Sequence, residues 1–343
     1  MAIRALGLYI AVSALAAVSF GQQLYPTSGD PRVIARGPDG ALWFAEFTAN
    51  KIGRVTTTGV VTEYTVPQLL SNRAPNPWGI TAGPDGALWF AEPDGAIGRI
   101  TVAGVVTNEY AIPSGPGANA FEIAAGPDGA LWFTEFDGNK VGRITTAGAV
   151  TEFPIPSSAA APGAICAGPD GALWFTELFA GKIGRITTGG TITEYPLPDA
   201  SSNPSGITAG PDGALWFTEF VGNMIGRITT AGAITEFAVP TTNSQPAEIA
   251  AGPDGALWFT EFNTTANKVG RITIAGAISE FSVGAHVLGI TSGPDNAIWF
   301  TEPTARNVGR LALTPIPTLS NWALLALAAM LAAVSVLRMG GVR

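Results

Sequence analysis

The stretch from Gly210 to Glu219 reads G-P-D-G-A-L-W-F-T-E, and it decides the fold because close copies of it occur seven times. The copies begin at Gly37, Gly83, Gly126, Gly168, Gly210, Gly252 and Gly293. Successive copies are 46, 43, 42, 42, 42 and 41 residues apart. A period near 42 residues, with a turn and an aromatic strand in every copy, is typical of solenoids and propellers.

The fifth copy shows what one repeat builds. An apolar run at 206–210 is followed by Pro-Asp-Gly, which favours a tight turn, and then by strand formers at 214–219. Two further segments, 225–229 and 233–237, alternate apolar and polar residues as half-buried strands do. Four antiparallel strands per repeat make a propeller blade, so the sequence predicts an all-β, seven-bladed β-propeller. The alternative is a parallel β-helix, which uses shorter coils without a hairpin turn in each.

The last copy lacks its outer strand, because nothing like I-T-E-F follows Val308–Leu311. At the other end of the chain, Gln23–Thr27 reads like the outer strands of the other repeats and directly precedes the first copy. We therefore expect an N-terminal strand to complete the last blade. Such closure would also remove exposed strand edges.

Three segments are predicted along the chain. Residues 1–21 combine Arg4, an apolar run and small residues at the exit, which indicates a signal peptide, with a permanent anchor as the alternative. Residues 22–313 form the propeller. Residues 314–343 contain I-P-T-L, an apolar run at 322–337 and a basic end, and they resemble the IPTL type of bacterial C-terminal sorting signal. The alternative is a single membrane-spanning anchor, although the run is short for one.

These ends predict that the propeller is exported to the bacterial cell envelope or surface, or secreted after processing of the tail. The expected partners are the sorting and export machinery and, through the C-terminal segment, the membrane. The net charge is −8 and no basic patch interleaves with aromatics, so we expect no nucleic-acid partner. We also expect a monomer.

Cys166 is the single cysteine, which excludes an internal disulfide, a CxxC redox motif and a cysteine-based metal site. Other copies carry Thr or Ala at this place. We therefore interpret Cys166 as a small buried residue rather than a nucleophile.

The repeat phrases resemble those of the streptogramin B lyases, also called virginiamycin B lyases. The resemblance rests on L-W-F-T-E, N-K-[IV]-G-R-I-T and G-x-I-T-E-[FY] in successive strands, and it covers about residues 24–313. It implies a seven-bladed propeller and an enzyme that opens a cyclic depsipeptide by elimination across its ester bond, with a magnesium ion. It also implies catalytic histidines just before the first strand of late blades.

This chain departs from the family at those histidine places. In copies two to seven the residues there are Trp78, Phe121, Gly163, Ser205, Ala247 and Leu288. The family's histidines fall in the last two copies, where this chain has Ala247 and Leu288. Its one histidine, His286, is two places before Leu288, where the enzymes carry a glutamate. The matching positions therefore cannot supply a general base, and streptogramin lyase activity itself is not expected.

The carboxylates separate into a repeating set and two exceptions. Of 15 glutamates, seven end the W-F-[TA]-E strand and six lie in the outer strand. Glu122 and Glu248 remain, and both replace a glycine at the start of a first strand. An arginine also recurs one strand after the W-F-[TA]-E glutamate, which predicts a Glu–Arg pair within each blade. The alternative is a ring of carboxylates around a cation. Glu302 corresponds to a metal-linked glutamate of the family and is a candidate magnesium ligand by resemblance only.

The residues that the seven-fold pattern does not require predict a ligand site at the mouth of the central channel. They are Trp78, Phe121, Glu122, Glu248 and His286, of which Glu122, Glu248 and His286 are also catalytic candidates. The alternative is that these are tolerated variations between blades. The sequence therefore favours a binding or scaffold propeller for a small molecule, glycan or protein ligand. The alternative is a lyase or a lactone- or ester-cleaving enzyme that acts on a cyclic ester with carboxylates and a divalent cation.

Overall fold

The computed structural model describes residues 21–68 and 74–313, and these form the predicted seven-bladed β-propeller. Within them lie seven four-stranded antiparallel sheets and one short 3-10 helix, Gly115–Gly117. The signal peptide predicted for residues 1–21 and the C-terminal segment predicted for 314–343 fall outside this range, apart from Gly21, and stay predictions. In the part of the chain that is described, no helix has the length and hydrophobicity that a membrane crossing requires.

Each blade contains strands a to d in order from the channel outward. Blade 1 contains β2 (Pro31–Arg36), β3 (Leu42–Glu46), β4 (Lys51–Val55) and β5 (Val61–Thr65). Blade 2 contains β6 (Ile80–Ala82), β7 (Leu88–Glu92), β8 (Ala96–Ile100) and β9 (Val106–Ala111). Blade 3 contains β10 (Ala120–Ala125), β11 (Leu131–Glu135), β12 (Lys140–Ile144) and β13 (Val150–Pro154), and blade 4 contains β14 (Pro162–Ala167), β15 (Leu173–Glu177), β16 (Lys182–Ile186) and β17 (Ile192–Pro196). Blade 5 contains β18 (Pro204–Ala209), β19 (Leu215–Glu219), β20 (Met224–Ile228) and β21 (Ile234–Ala238). Blade 6 contains β22 (Pro246–Ala251), β23 (Leu257–Glu261), β24 (Lys268–Ile272) and β25 (Ile278–Ser282). Blade 7 contains β26 (Ile290–Ser292), β27 (Ala297–Glu302), β28 (Asn307–Ala312) and β1 (Gln22–Pro26).

The blades close into a ring in the predicted way. The a strands of neighbouring blades lie side by side, and β26 of blade 7 lies against β2 of blade 1. The N-terminal β1 is the outer strand of blade 7 and pairs antiparallel with β28, with Tyr25 opposite Val308. Tyr25 stacks on Trp299 at a centroid distance of 5.5 Å, as the d-strand aromatics of other blades stack on their own tryptophans. Closure by an N-terminal strand is therefore confirmed.

One buried unit repeats in every blade and explains the conserved spacing of the phrase. The blade tryptophan is fully buried, and its Nε1 donates to the aspartate of the Pro-Asp turn, at 3.0 Å from Trp174 to Asp170. Arg185 Nε donates to the other oxygen of Asp170 at 2.7 Å. Although burial alone would raise the pKa of Asp170, the hydrogen bonds from Trp174 and Arg185 hold it below its usual value. The turn aspartate thus forms hydrogen bonds to the buried tryptophan and to the arginine, in addition to its place in the turn.

The predicted Glu–Arg pair within each blade is wrong, and the strand register gives the reason. In blade 1, Trp43 lies opposite Arg54, whereas Glu46 lies opposite Lys51 at the other end of the strand pair. The arginine therefore reaches the turn aspartate Asp39. All seven blades repeat this Arg–Asp pair, with distances of 2.6 to 2.8 Å.

The glutamates that end strand b are buried inside their own blades instead. Burial raises their pKa values, to about 7 for Glu46 and to about 9 for Glu92, where the charges of Glu109 and Asp94 add to the effect. Cys166 is half-buried, and burial raises the pKa of its thiol to about 12. A thiol with that pKa is a poor nucleophile at neutral pH.

Candidate functional site

Five blades carry a bulge at the start of strand a, and the bulge is where the blades differ most. In blade 3 the pairing with strand b skips Phe121 and Glu122, which lie between the paired residues Ala120 and Ile123. Blades 1, 4, 5 and 6 show the same shift. Because bulged residues are not part of the regular hydrogen-bond ladder, their side chains can point in other directions than those of the rest of the strand. In each of these five blades, two residues at the channel mouth are therefore not required for strand pairing.

The first bulge residue of each blade, at the place of Phe121, changes size around the ring. In blades 1 to 7 the first bulge residues and their equivalents are Arg32, Trp78, Phe121, Gly163, Ser205, Ala247 and Leu288. The second bulge residues, at the place of Glu122, are Val33, Gly79, Glu122, Ala164, Gly206, Glu248 and Gly289. We call blades 1 to 3, with large first bulge residues, the wall side, and blades 4 to 6, with small ones, the open side.

Threonine hydroxyls tie neighbouring bulges together over most of the ring. Thr134 Oγ1 accepts from the backbone N–H of Glu122 at 3.1 Å and donates to the carbonyl of Gly163 in the next blade at 2.7 Å. The threonines that repeat this bridge are Thr176, Thr218, Thr260 and Thr301. Blades 1 and 2 have Ala45 and Ala91 at this place. The threonine bridges are therefore missing where the wall side begins.

The large first bulge residues form one stacked wall. The ring of Trp78 lies 4.8 Å from that of Phe121, with an angle of 27° between them. The guanidinium of Arg32 lies 5.1 Å from the Trp78 ring centroid. Since Trp78 belongs to the middle blade of the three, its neighbours cover it from both sides. A ligand would thus meet the edge of the Trp78 ring rather than a free face.

Arg32 is held in place at the mouth by an acidic neighbour. Its Nε and Nη2 donate to Asp30 Oδ2 at 3.1 and 2.8 Å, and Asp30 Oδ1 accepts from the backbone N–H of Thr48 at 2.7 Å. Burial alone would raise the pKa of Asp30, but the hydrogen bonds from Thr48 and Arg32 hold it below its usual value. The ion pair therefore fixes one positive charge on the wall side.

The aromatic contacts continue from the wall toward the open side. Phe121 contacts Phe136 at 5.6 Å, and Phe136 contacts Phe179 at 5.8 Å. Phe179 is 64% exposed, and Val221 at the same place in the next blade is 60% exposed. The other blades carry polar residues there, namely Thr48, Asp94, Asp137, Asn263 and Thr304. We call Phe179 and Val221 the apolar lip.

A groove of about 360 Å³ lies on the outer flank of the wall. Its lining residues are Phe47, Trp78, Pro93, Pro116, Gly117, Asn119, Phe121 and Asp137. Asn119 Nδ2 donates to Asp137 Oδ2 at 3.0 Å, so the polar groups of the groove form one pair. This size falls in the range of small-ligand pockets.

Glu122 and Glu248 bring two carboxyl groups into the channel. Glu122 is 8% exposed, and its Oε1 has no hydrogen-bond partner among the described residues. Burial raises the pKa of Glu122 well above its usual value, and the charge of Glu248 raises it further. Burial raises the pKa of Glu248 to about 7. Both carboxyl groups are therefore more easily protonated than exposed glutamates.

Glycines make room for both carboxyl groups. A Cβ on Gly79 would lie 2.9 Å from Glu122 Oε2, and a Cβ on Gly206 would lie 3.1 Å from Glu248 Oε2. Each carboxyl group therefore leans over the second bulge residue of the preceding blade.

His286 lies apart from this pair. Its ring contacts Phe262 at 4.3 Å, it is 8% exposed, and neither ring nitrogen makes a well-formed hydrogen bond with a described residue. Burial lowers its pKa, the charge of Arg32 lowers it further, and the backbone of Phe262 opposes both. His286 is therefore neutral at pH 7, and the charged group that influences it is Arg32 rather than Glu122 or Glu248.

Glu302, the candidate metal ligand, lies at the ring closure. Its Oε1 accepts from Gln22 Nε2 at 3.5 Å and its Oε2 from Asn307 Nδ2 at 3.2 Å. Residues 21–68 and 74–313 contain no group of three or more His, Cys, Asp or Glu side chains placed to hold a metal ion. The described residues thus do not fit a protein-built metal cage, and the magnesium ion stays a prediction.

The fold and the repeat phrases agree with a comparison against known families. The model of the virginiamycin B lyase family matches residues 16–205 and 197–334. This chain belongs to that family. No curated protein gives a significant match.

Three solved structures of the family are similar over most of this chain. A streptogramin B lyase structure is 38% identical with a TM-score of 0.80, covering 86% of this chain and 98% of its own. Selenomethionine-substituted virginiamycin B lyase from Staphylococcus aureus is 40% identical with a TM-score of 0.80, covering 86% and 100%. A catalytically inactive histidine-to-alanine variant of the same enzyme with quinupristin is 41% identical with a TM-score of 0.79, again covering 86% and 100%. Hydrazine synthase from Kuenenia stuttgartiensis, 16% identical with a TM-score of 0.70, shares the fold alone.

Sequence reasoning missed Arg32 and the apolar lip. Arg32 is the first bulge residue of blade 1, and extending the comparison of histidine places to the first copy would have found it. Phe179 and Val221 are two residues after the strand-b glutamate, where the other copies are polar. Comparing that position across the copies would have found both.

Proposed function

We propose that this protein is an exported binding propeller that holds a ligand at the channel mouth, between the wall of Arg32, Trp78 and Phe121 and the carboxyl groups of Glu122 and Glu248. The observation that carries the proposal is the place of these residues at the start of strand a, where the seven-fold pattern does not require them; all but Trp78 lie in a bulge. A fixed guanidinium, aromatic edges and carboxyl groups can together orient a small ligand by hydrogen bonds and apolar contact.

The histidine places argue against the elimination chemistry of the family. Ala247 and Leu288 cannot accept a proton, and His286 lies against Phe262 with no electrostatic link to the carboxyl pair. We therefore derive the function from binding groups rather than from a general base.

A second candidate function is cleavage of a cyclic ester or lactone. It is favoured by one observation, a carboxyl group with a strongly raised pKa beside one whose pKa is about 7. Such a pair can supply a general acid and a general base. In this candidate Glu248 accepts a proton from a water molecule whose oxygen bonds to the ester carbonyl carbon, and Glu122 donates a proton to the alkoxide oxygen that leaves as the ester C–O bond breaks.

The test of ligand binding is a screen that makes no assumption about the ligand. Ligand-observed NMR with a chemically mixed fragment library would compare the wild type with Ser205→Trp, which fills the open side of the mouth. Thr58→Trp, on an exposed turn at the opposite end of blade 1, is the matched control. We expect hits that bind the wild type and the control but not Ser205→Trp. An absence of hits sensitive to Ser205→Trp would contradict the proposed function.

Export and envelope association form the second part of the proposal, and the N-terminal leader and the C-terminal tail support it. Fractionation of cells that express the full chain, compared with a chain ending at residue 313, tests it. We expect the full chain in the envelope fraction and the shorter chain outside the cytoplasm but free of the envelope. A cytoplasmic full chain would contradict export.

A further inference from the structure

We infer that the mouth takes an amphipathic cation: an apolar body that lies on the apolar lip of Phe179 and Val221, and one ammonium group that enters between Glu122 and Glu248. This inference rests on the proposed function, since it names the ligand class of the same site.

The carboxyl groups of Glu122 and Glu248 supply hydrogen-bond acceptors for a cation. The other second bulge residues are glycine, alanine or valine, so no basic side chain neutralises the pair from this ring of positions. Glu122 is more than nine-tenths buried and its Oε1 has no partner among the described residues. An ammonium group carries three donors and no acceptor, which matches carboxylate oxygens that lack a donor.

The one cation of the bulges lies elsewhere and is already paired. Arg32 donates two hydrogen bonds to Asp30 and lies over the rings of Trp78 and Phe47, at 5.1 and 5.5 Å. Arg32 is therefore committed to Asp30 and does not neutralise Glu122 or Glu248.

The apolar lip marks the path by which such a ligand enters. Two exposed apolar side chains on adjacent blades stand where five other blades have polar ones, and exposed apolar pairs of this kind indicate binding surfaces. From Phe179, ring contacts lead through Phe136 to Phe121, and Glu122 follows Phe121 directly. Ring contacts thus lead from Phe179 of the lip to the residue that precedes Glu122.

Binding of a cation should release a proton. Burial raises the pKa of Glu122 well above its usual value and that of Glu248 to about 7. An ammonium group favours the ionised form of both carboxyl groups. Affinity should therefore rise as the pH increases through about 7, which an apolar ligand without charge would not show.

Isothermal titration with phenylbutylamine, phenylbutanol and phenylbutanoate tests the inference, because the three share one body and differ in charge. We expect the amine to bind at least about tenfold more tightly than the alcohol at about pH 8. Glu122→Gln and Glu248→Gln should each reduce that preference, and Phe179→Ser should weaken the amine. Val60→Ser, which alters an equally exposed valine on a turn at the other end of the strands, should change nothing.

Equal binding of the amine and the alcohol, tighter binding of phenylbutanoate, or no binding of the amine would each overturn the inference. Retention of the full preference in both Glu→Gln variants would overturn it as well. These outcomes leave the proposed function standing if the fragment screen still gives neutral or anionic hits that Ser205→Trp removes. If the screen gives no such hits, the proposed function fails independently.

Discussion

The wall side and the open side of the channel mouth are built on the same blade and differ in what joins neighbouring blades. On the open side, Thr176, Thr218 and Thr260 bridge each bulge to the next blade, and the first bulge residues are small. On the wall side, Ala45 and Ala91 replace two of the threonines, and stacked side chains of Arg32, Trp78 and Phe121 lie over the junctions.

This difference separates the residues that the blade needs in order to fold from those at the start of strand a, which can vary between blades. Trp89 on the wall side and Trp174 on the open side are equally buried and make the same hydrogen bond to a turn aspartate. The core is therefore the same on both sides, whereas the mouth is not. Substitutions at the mouth should therefore change ligand binding, and substitutions in the core should change the free energy of unfolding.

The largest expected effect tests whether the core is indeed the same on both sides. Trp89→Ala and Trp174→Ala should each cost about 3–5 kcal/mol of unfolding free energy, because each removes a fully buried indole. Chemical denaturation of both variants would measure this. A cost that differs strongly between them would show that the two sides differ in their cores as well.

The next effect concerns the threonine bridges of the open side. Thr218→Val should cost about 1–3 kcal/mol, because it leaves the N–H of Gly206 and the carbonyl of Ala247 without their partner. Thr218→Ser is the matched control and should retain most of the stability, since it keeps the hydroxyl. If the valine variant is as stable as the serine variant, the bridges do not distinguish the open side.

The pH dependence of stability should also differ between blade 2 on the wall side and blade 6 on the open side. Folding raises the pKa of Glu92 to about 9 and that of Glu261 to about 7, in both cases chiefly through burial. A raised pKa in the folded state gives stability at acidic pH that is lost as the pH rises through the folded value. The thermal midpoint should therefore fall from about pH 5 to about pH 9.

Replacing single glutamates assigns that fall to a blade. Glu92→Gln should flatten the decline over the whole range from about pH 5 to about pH 9, whereas Glu261→Gln should flatten it only up to about pH 7. Thermal melts across the pH range would measure both. A midpoint that rises between neutral and alkaline pH would contradict the sign of these shifts.

The smallest effect should come from the wall itself. Trp78→Ala should cost only about 1 kcal/mol, because Trp78 is half-buried and loses mainly its contacts with Phe121 and Arg32. Urea denaturation would compare it with Trp174→Ala. A cost as large as that of a core tryptophan would mean that the wall is part of the core.

The sequence predicted the blades well because each copy repeats the same local code of turn and alternating strands. The ring closure followed from one incomplete copy and the strand-like segment Gln23–Thr27 before the first copy. The arginine partner was predicted wrongly, since recurrence alone does not say which end of a strand pair a residue occupies. That information lies in the register, which places Arg54 opposite Trp43 and not Glu46.

The mouth could be predicted only in part. Trp78, Phe121, Glu122 and Glu248 were found because they break the repeat. The contacts between them could not be read from the copies, because they join side chains of different blades. The threonine bridges could not be predicted for the same reason. Alanine and threonine both fit the strand, and they differ only because the threonine hydroxyl donates to a carbonyl of the next blade.

A double variant, Phe121→Gly with Glu122→Ala, gives blade 3 the bulge of blade 4 and tests whether the bulge residues bind the ligand. We expect this variant to keep the seven-bladed fold and a cooperative melt, and to lose the fragment hits that the wild type binds at the mouth in ligand-observed NMR. Retention of all those hits at unchanged affinity by a folded double variant would contradict the claim that the bulge residues carry the function.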